Sequence, residues 1–380
     1  MDFTLSASQQ EIQARARQLA QDRIKPQAAA LDRQARHPAE ILTELGKLGF
    51  MGLSLPPDYG GGGQDFVSYV LAMIEIAQGC MSCALIMHLN HTLFGGTVTS
   101  FGTEAQKQRY LVPVAGGQKM ACFALTEAEA GSDVSRVQCT AVRQGQDYIL
   151  TGTKKFVTSG QVASFGLVAA STAPELGAKG ISAFIVDLEN AAGVTIGPLQ
   201  DKLGLKATGT VDLTFDQLRI PAENLLGQEN QGLKVMLRAL DDGRIGTAAQ
   251  AVGLGRAILT ESLAYARQRQ QFGQPIAQFQ TIQWKLADIA TEVEAAELLT
   301  IKAAWRKDQG LPYDTAAAMA KLFATDAAMR AALEGVQILG GYGYLGDYPL
   351  ERHLRDAKGT QIYEGTNEIM RLIIARNLLR

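Results

Sequence analysis

The chain has 380 residues, of which 47% are hydrophobic and 19% are charged, a composition that is typical of folded proteins and argues against global disorder. At the usual size of about 100–200 residues per domain, this length predicts two or three domains. Because 36 lysines and arginines stand against 38 aspartates and glutamates, the net charge is −2, which argues against a nucleic-acid or anionic-membrane partner.

The N-terminal segment carries no recognisable export signal. Its first residues, MDFTLSASQQEIQARARQLA, lack the apolar core of a signal peptide and include acids, unlike a transit peptide. The sequence contains no run of about 18 apolar residues, so it predicts no membrane span. Cys80 and Cys83 form one CxxC pair in an apolar run, which is weak evidence for zinc, and four cysteines are too few for a disulfide scaffold. We therefore predict a cytoplasmic protein with reduced, buried cysteines and no metal site.

Residues 1–119 are predicted to form an N-terminal all-α domain. Ile41, Leu45 and Leu48 follow helical spacing, as do the apolar residues from Tyr69 to Cys80. The segment between them, LPPDYGGGGQD, is rich in Pro and Gly and predicts a flexible loop rather than a phosphate cradle.

Residues 120–227 are predicted to form a central β-barrel-like domain. Short runs rich in Val, Ile, Phe and Thr occur at 148–150, 165–170, 181–186 and 211–215, each close to Gly or Pro. Strands at such intervals, with turn residues between them, are typical of a small sheet or barrel.

Residues 228–380 are predicted to form a C-terminal four-helix bundle. Ala- and Leu-rich segments with helical spacing run over about 231–268, 278–308, 314–339 and 366–380. In the second of these, Ile282, Leu286, Ile289 and Val293 form the apolar stripe of a bundle helix. The predicted fold is therefore an α+β multidomain architecture in the order helices, sheet, helices.

Most familiar catalytic motifs are missing from the sequence. Residues 341–346, GYGYLG, match GxGxxG but follow a predicted helix instead of a strand, which argues against a Rossmann site. His88 and His91 are three residues apart, but no acidic third ligand lies near them in sequence, which favours packing roles over a metal site.

Three other segments combine glycine with chemically useful side chains. Residues 124–133, ALTEAEAGSD, follow a strand-like entry with a turn of small, hydroxyl and acidic residues, where the backbone can approach a planar or phosphate-bearing ligand. Residues 337–344 end a predicted helix in a tight glycine turn. In residues 361–368, Glu364 beside Gly365 places a carboxylate where the backbone can come close to a substrate, although a solvated loop acid remains the alternative.

Together these segments resemble the acyl-CoA dehydrogenase family over essentially the whole chain. ALTEAEAGSD is similar to the first family motif, with Ala128 where Pro is usual and, shortly after it, Arg136 where a small residue is usual. QILGGYGYLGDYPLERHLRD, residues 337–356, is similar to the second motif at every position, and QIYEGTNEI is similar to the catalytic loop.

The resemblance implies a homotetramer that holds FAD. By analogy with the family, Thr126 of this chain would lie near flavin N5, and Ser132 would face the flavin or the CoA. Phe156 would stand against the flavin where the family usually has Trp. Arg269, Phe272 and Gln280 would bind the pyrophosphate and adenosine end. The full set of implied cofactor contacts is Phe123, Leu125, Thr126, Ser132, Phe156, Val157, Thr158, Arg269, Phe272, Gln280, Thr366 and Asn367, joined by Gln337, Ile338, Gly340 and Gly341 from a neighbouring subunit.

The resemblance also implies the reaction. Glu364 would remove the α-proton of an acyl-CoA thioester while the β-hydride passes to flavin N5, giving a trans-2-enoyl-CoA. A flavin ribityl hydroxyl and the backbone N–H of the base residue would stabilise the developing enolate oxygen. The implied substrate contacts are Ser132, Asp241, Arg244, Tyr363 and Gly365.

Some family members place the base on the first bundle helix, directly before an arginine. That position is Gly243 here, which has no side chain to act. Asp242 lies one residue back, and neighbouring helical positions diverge by about 100°. Glu364 is therefore the predicted base.

The predicted substrate is a short-chain or short branched-chain acyl-CoA, with electrons passed to an electron-transfer flavoprotein. An acyl-CoA oxidase, a dehydrogenase for an alicyclic, aromatic or dicarboxylic acyl group, and a nitroalkane-type oxidase, which would have Asp at 364, remain alternatives. A DNA-associated relative without turnover would need a strongly basic surface, and the net charge of −2 argues against it. A purely structural flavoprotein would not need Glu364, so the presence of Glu364 argues against that alternative.

Overall fold

The computed structural model describes residues 4–189 and 191–379. The predicted first domain starts at residue 1 and the predicted last domain ends at residue 380, so these two ends lie outside the described residues. The described chain begins with a helical domain. Ser6 caps the first helix through a capping box, and Asp65 caps the fourth. A π-helical segment, Leu89–Gly96, continues the fifth helix. The helices are α1 (Ala7–Leu19), α2 (Ala28–Gln34), α3 (Ala39–Lys47), α4 (Phe66–Gly79), α5 (Met81–His88), α6 (Thr97–Phe101), α7 (Glu104–Gln106) and α8 (Val112–Ala115).

A seven-stranded mixed sheet follows, in the central part of the chain where the sequence predicts a β domain. The strands are β1 (Ala121–Ala124), β2 (Thr140–Gln144), β3 (Asp147–Val157), β4 (Phe165–Ser171), β5 (Ile181–Asp187), β6 (Val194–Ile196) and β7 (Val211–Pro221). Their order is β1-β4-β2-β3-β7-β6, with β5 on the other side of β4. The register between β3 and β7 shifts between Lys154 and Val157. This bulge turns Phe156 out of the sheet at a φ of +56°.

The C-terminal part is a helical bundle with a short hairpin. It comprises α9 (Gly232–Gln268), β8 (Gln270–Gln271), β9 (Gln274–Pro275), α10 (Gln280–Asp308), α11 (Asp314–Leu339), α12 (Leu350–Thr360) and α13 (Asn367–Leu378). The predicted order of helices, sheet and helices is confirmed; in the described C-terminal part, α12 is a helix that the sequence did not predict.

The long helix α9 joins the parts of the molecule. It packs against α10 and α11 in the bundle, against α4 and α5 in the N-terminal domain and against β5 of the sheet. Its middle stretch, from Asp242 to Gly255, is buried. Side chains from all three parts therefore meet along this helix. None of the helices described above combines the length and the apolar content that a membrane span requires.

Candidate active site

One cavity lies where the N-terminal helices, the sheet and the bundle meet. It collects most of the residues predicted around the flavin ring and the acyl group. Its walls include Leu85, Leu89, Leu93, Phe123, Leu125, Thr126, Gly131, Ser132, Val134, Phe156, Thr158, Leu237, Leu240, Arg244, Tyr363, Glu364, Gly365 and Ile369. We call this cavity the central pocket.

Glu364 enters the central pocket from the turn between α12 and α13. Its φ is +57° and that of Gly365 is +97°, so two successive left-handed residues reverse the chain there. The side chain is 7% exposed. Its Oε1 lies 2.7 Å from His88 Nε2, whereas its Oε2 is buried and has no hydrogen-bond partner in the described structure.

Where helix α9 passes this carboxylate, its residue is a glycine, Gly243. A Cβ atom at Gly243 would lie 2.1 Å from Glu364 Oε2, so the carboxylate occupies the space that a side chain at 243 would need. Asp242 is turned to the bundle instead, where it accepts a hydrogen bond from Tyr313 and pairs with Lys307 Nζ at 2.6 Å. Glu364 is therefore the acid of these two that faces the pocket.

Arg244 and Asp241 form an ion pair at the pocket wall. Arg244 Nη1 donates to Asp241 Oδ1 at 2.5 Å, and Arg244 Nε is buried without a partner in the described structure. Burial lowers the pKa of Arg244, and it raises the pKa of Asp241 against the opposing effect of Arg244. The pair places one partly satisfied cation beside Glu364.

Lys321 of α11 is a functional candidate that sequence reasoning missed. Its fully buried Nζ donates to Gly365 O at 2.8 Å and to Asn367 Oδ1 at 2.9 Å, which fixes the turn that carries Glu364. Burial lowers the pKa of Lys321 to about 7, although Glu364 acts in the opposite direction. Its only sequence signal is a lysine inside the buried alanine stripe of α11.

The residues around the turn are held in different ways. Tyr363 lines the pocket and donates its hydroxyl to Gln250 at 2.8 Å. Thr366 caps α13 by accepting from Ile369 N–H. Asn367 is buried, its amide bonds to Thr325, Asp326 and Lys321 within the chain, and it does not line the central pocket.

The sheet supplies hydroxyl groups and an exposed aromatic ring. Thr126, Ser132 and Thr158 line the pocket near Phe156, which is 64% exposed. Val157 points the other way and is buried in the sheet.

A buried ion pair, also missed from the sequence, holds the loop that carries Thr126. Lys154 Nζ lies 2.6 Å from Glu127 Oε1 and also donates to Leu125 O. Burial opposes ionisation of Glu127, but Lys154 and the N–H groups of Gln138 and Cys139 outweigh it and lower the pKa of that carboxyl.

A second pocket collects the residues predicted for the adenosine end. Arg269, Ile338, Gly340 and Gly341 line it together, and the guanidinium of Arg269 lies 5.5 Å from the ring centre of Tyr342. We call it the hairpin pocket because it adjoins β8. It shares no lining residue with the central pocket.

Besides Val157, Thr366 and Asn367, three further predicted cofactor contacts line neither pocket. Phe272, at the tip of the β8–β9 hairpin, is 94% exposed at a φ of +51°. Gln280 begins α10 and Gln337 lies near the end of α11, and both are exposed.

A third cavity adjoins the central pocket. Leu237 lines both, and Asp241 in the third cavity pairs with Arg244 in the central one. Its walls carry the cationic side chains Lys179, Lys234 and Arg238. Among the described residues, no cluster of three or more His, Cys, Asp or Glu could hold a metal ion.

Comparison with known families covers nearly the whole chain. The models described as acyl-CoA dehydrogenase N-terminal, middle and C-terminal domains match residues 6–118, 122–218 and 230–379. The chain is 41% identical to a short-chain specific acyl-CoA dehydrogenase of Clostridium acetobutylicum over 380 residues, covering 100% of both proteins.

Solved structures agree with these matches. The structure of butyryl-CoA dehydrogenase from Megasphaera elsdenii superposes with a TM-score of 0.98 at 42% identity and covers 100% of both chains. A chain in the structure of the electron transferring flavoprotein of Acidaminococcus fermentans, studied for flavin-based electron bifurcation, superposes with a TM-score of 0.98 at 43% identity and the same coverage.

Proposed function

The chain belongs to the acyl-CoA dehydrogenase family, and we propose that it dehydrogenates short-chain or short branched-chain acyl-CoA thioesters to trans-2-enoyl-CoA. Acyl-CoA dehydrogenases are FAD flavoproteins, and this chain is accordingly an FAD-dependent oxidoreductase. The observation that carries the proposal is Glu364, which lines the central pocket and whose carboxylate has one buried oxygen, Oε2, without a hydrogen-bond partner in the described structure.

The central pocket fits a flavin ring. Phe156 presents an apolar face that the β-bulge holds outward, and Thr126 and Thr158 supply hydrogen-bonding groups beside it. In the hairpin pocket, the guanidinium of Arg269 fits a pyrophosphate. When bound, the flavin supplies an acceptor for the β-hydride of the substrate.

Glu364 supplies the base for the α-proton. The α-proton of a thioester is weakly acidic, so its removal needs a carboxylate that is already in place. The Cα–H bond breaks, an O–H bond forms on Glu364 Oε2, and the electron pair stays on the substrate carbon. Oε2 is suited to this step because it is buried and no hydrogen bond must break before it accepts the proton.

The third cavity supports a coenzyme A substrate. Lys179, Lys234 and Arg238 give it a cationic wall, which matches the phosphates of the CoA nucleotide. The shared residue Leu237 connects this wall to the central pocket, so a long substrate can bind both cavities at once.

The apolar wall of the central pocket supports a short acyl chain. Leu85, Leu89 and Leu93 lie one turn apart on α5 and the segment after it. Behind them, α4 and α5 are buried along almost their whole length, so a longer acyl chain would have to displace core side chains. Each added methylene gains about 0.8 kcal/mol until it meets that wall. We propose an optimum at C4–C6 or at a 2-methyl-branched acyl group.

The proposed electron acceptor is an electron-transfer flavoprotein. The similar chain from the Acidaminococcus structure supports this choice. A reducing, cytoplasmic compartment is part of the proposal because Cys80, Cys83, Cys122 and Cys139 are buried free thiols.

The test is to mix the purified yellow holoprotein anaerobically with acyl-CoA thioesters from C4 to C16 and to follow the loss of flavin absorbance. We expect the highest kcat/KM, with an artificial acceptor, at C4–C6 or with a 2-methyl-branched chain. Glu364→Gln is the matched control, and it should keep its colour on mixing.

Each other result rejects a defined part of the proposal. A maximum at C12 or beyond, or activity confined to aromatic, alicyclic or dicarboxylic thioesters, would reject the substrate class. If oxygen reoxidised the enzyme during turnover as fast as the artificial acceptor does, the enzyme would be an oxidase. Holoprotein that no acyl-CoA bleaches would reject dehydrogenation.

A further inference from the structure

Behind Glu364, on the side away from its free oxygen, a continuous chain of hydrogen bonds crosses the N-terminal domain. The first link joins Glu364 Oε1 to His88 Nε2 at 2.7 Å, and the second joins His88 Nδ1 to Tyr69 Oη at 2.7 Å. The chain then runs through Thr92 and His91 to the backbone of Ser54. We call it the Ser54–Glu364 chain, and its members are Ser54, His91, Thr92, Tyr69, His88 and Glu364.

The direction of the chain is set at its far end. The backbone N–H of Ser54 lies 3.0 Å from His91 Nε2, and a backbone N–H can only donate. His91 Nε2 is therefore an acceptor, to which the Ser54 hydroxyl also lies close, at 3.1 Å. Burial, with smaller effects of Lys307 and His88, lowers the pKa of His91 to about 3, so its ring is neutral and carries its proton on Nδ1.

From His91 onward each group has one remaining choice. The Nδ1–H of His91 donates to Thr92 Oγ1 at 3.3 Å, and the Thr92 hydroxyl donates to Tyr69 Oη at 3.0 Å. The Tyr69 hydroxyl then donates to His88 Nδ1, so His88 Nδ1 is an acceptor and the N–H of the ring lies on Nε2. That N–H points at Glu364 Oε1. Every link in the chain thus donates toward the carboxylate.

The surroundings of the chain are shaped for it. Tyr69, His88, His91 and Thr92 are all 2% exposed or less. A Cβ at Gly246 of α9 would lie 2.3 Å from His88 Nδ1 and 2.8 Å from Tyr69 Oη, so glycine at that position makes room for their hydrogen bond. The ring of His91 stacks on that of Tyr69 with centres 4.1 Å apart.

We infer that the Ser54–Glu364 chain is a positioning device for the catalytic base. By fixing the proton of His88 on Nε2, it holds Glu364 Oε1 as a permanent acceptor and leaves Oε2 as the atom that takes the α-proton. No proton needs to move along the chain during the step. His88 is therefore a positioning residue, and this inference rests on the proposed function of Glu364.

Hydrogen exchange of acetyl-CoA measures this positioning role separately from turnover. Acetyl-CoA has α-hydrogens but no β-carbon, so it cannot be dehydrogenated and reports on the base alone. The rate at which the holoprotein exchanges these hydrogens in D₂O is measured by mass spectrometry. Butyryl-CoA supplies kcat and the dissociation constant in parallel.

The first comparison changes the donor to Glu364. We expect His88→Leu to lower the exchange rate and kcat by about 10- to 100-fold, the range for losing a hydrogen bond to a charged group, with the dissociation constant unchanged. His88→Gln should recover most of the rate, because a side-chain amide can donate to Oε1 whatever its neighbours do.

The second comparison is a double-mutant cycle. Tyr69→Phe removes the hydroxyl that fixes the His88 tautomer, and we expect it to lower the exchange rate about 3- to 10-fold in the wild-type background. In the His88→Gln background the same change should have no more than about a twofold effect, because glutamine has no tautomer to fix. A packing role for Tyr69 would cost the same in both backgrounds.

Tyr110→Phe is the matched control. It removes another buried tyrosine hydroxyl, which bonds to Asp187 and Asn224, and it should leave both rates unchanged. Wild-type rates in His88→Leu, or equal effects of Tyr69→Phe in the two backgrounds, would overturn the inference while the dehydrogenase activity stands. A wild-type protein that neither exchanges acetyl-CoA nor oxidises butyryl-CoA would overturn the proposed function, and the positioning role with it.

Discussion

At the scale of single residues, Glu364 combines two local costs. Its backbone is left-handed, at a φ of +57°, and its Oε2 is buried without a partner in the described structure. Each feature costs of order 1–3 kcal/mol and is found mainly where function requires it. A carboxylate kept in this state is prepared to accept a proton from a bound substrate instead of bonding to the protein.

We expect Glu364→Gln to keep FAD and to bind butyryl-CoA but to lose at least about 10³-fold in kcat, because no other Asp, Glu or His among the described residues lines the central pocket to take the α-proton. Flavin absorbance, a binding titration and steady-state kinetics measure the three quantities. The amide has nearly the same size and can still bond to His88, so the variant should fold normally.

Asp242→Asn is the control for this variant. Asp242 faces Tyr313 and Lys307 and not the pocket, so we expect its kcat to stay within a few-fold of wild type. If Asp242→Asn lost activity while Glu364→Gln kept it, the assignment of the base would be wrong.

The sequence predicts some of these residues and not others for a physical reason. Glu364 and Arg244 stand in short motifs whose spacing is visible along the chain. His88 and Glu364 are 276 residues apart, and Lys154 and Glu127 are 27 apart, so their pairing arises only on folding. Neither pair changes the local apolar pattern, which is the signal that a single sequence offers.

At the scale of elements, α11 controls the position of the catalytic turn. Lys321 is its contact with that turn, through Gly365 O and Asn367 Oδ1. A neutral lysine amine still has two N–H groups, enough for both acceptors. The turn can therefore stay fixed when Lys321 loses its proton.

Lys321 gives the free energy of unfolding a defined pH dependence. Its pKa is about 7 in the folded protein and about 10.4 in an unfolded chain, so the unfolded state holds more protons between these values. Stability should therefore rise with pH across this window, by at most about 1.4 kcal/mol per pH unit. We expect Lys321→Met to lack this part of the rise, measured as urea unfolding of the holoprotein from pH 7 to pH 10 at fixed concentration.

Lys302→Met serves as the control because Lys302 lies exposed on α10. It should follow the wild-type dependence on pH. A Lys321→Met protein with the same slope as wild type would show that Lys321 is charged in the fold at neutral and alkaline pH.

Strand β3 shows why element boundaries were harder to predict than element types. The pattern predicted a strand at 148–150 that ends before Gly152, whereas β3 runs on to Val157. Gly152 has a φ of +143°, and a Cβ there would lie 2.3 Å from Cys139 Sγ, so this glycine permits close contact inside the strand. Glycine occurs both at turns and at close contacts inside strands, and only the folded structure shows which of the two Gly152 serves.

At the scale of the whole molecule, one chain divides the predicted cofactor contacts between two pockets. The flavin-ring residues Thr126 and Phe156 line the central pocket, whereas Arg269 and Gly340 line the hairpin pocket. Near the hairpin pocket, Phe272 and Tyr344 are 94% and 84% exposed. Aromatic side chains are enriched in the surfaces that proteins bury against one another. Because Arg269 lines the same pocket as Gly340 and Gly341, for which the resemblance implies a role in a neighbouring subunit, we propose that Arg269 acts there too. The hairpin pocket then completes the flavin site of a neighbouring subunit in a homotetramer built as a dimer of dimers.

This arrangement predicts that two inactive variants restore each other. Glu364→Gln disables the central pocket, and Arg269→Ala should lose FAD from the hairpin pocket. When the two chains are co-expressed with different tags, a mixed dimer contains one site with an intact Glu364 from one chain and an intact Arg269 from the other. Random pairing should then return about a quarter of the wild-type activity per site, while each variant alone stays inactive.

Light scattering of the wild-type holoprotein gives the complementary measurement, and we expect a mass about four times the 40.8 kDa of one chain. An FAD-loaded monomer would reject the shared site outright. Mixed dimers without recovered activity would also reject it, because they would mean that Glu364 and Arg269 of the same chain serve one flavin. Recovery in the mixed dimers, with neither parent active, has no explanation within a single chain, since each chain then lacks one of the two groups that the site needs.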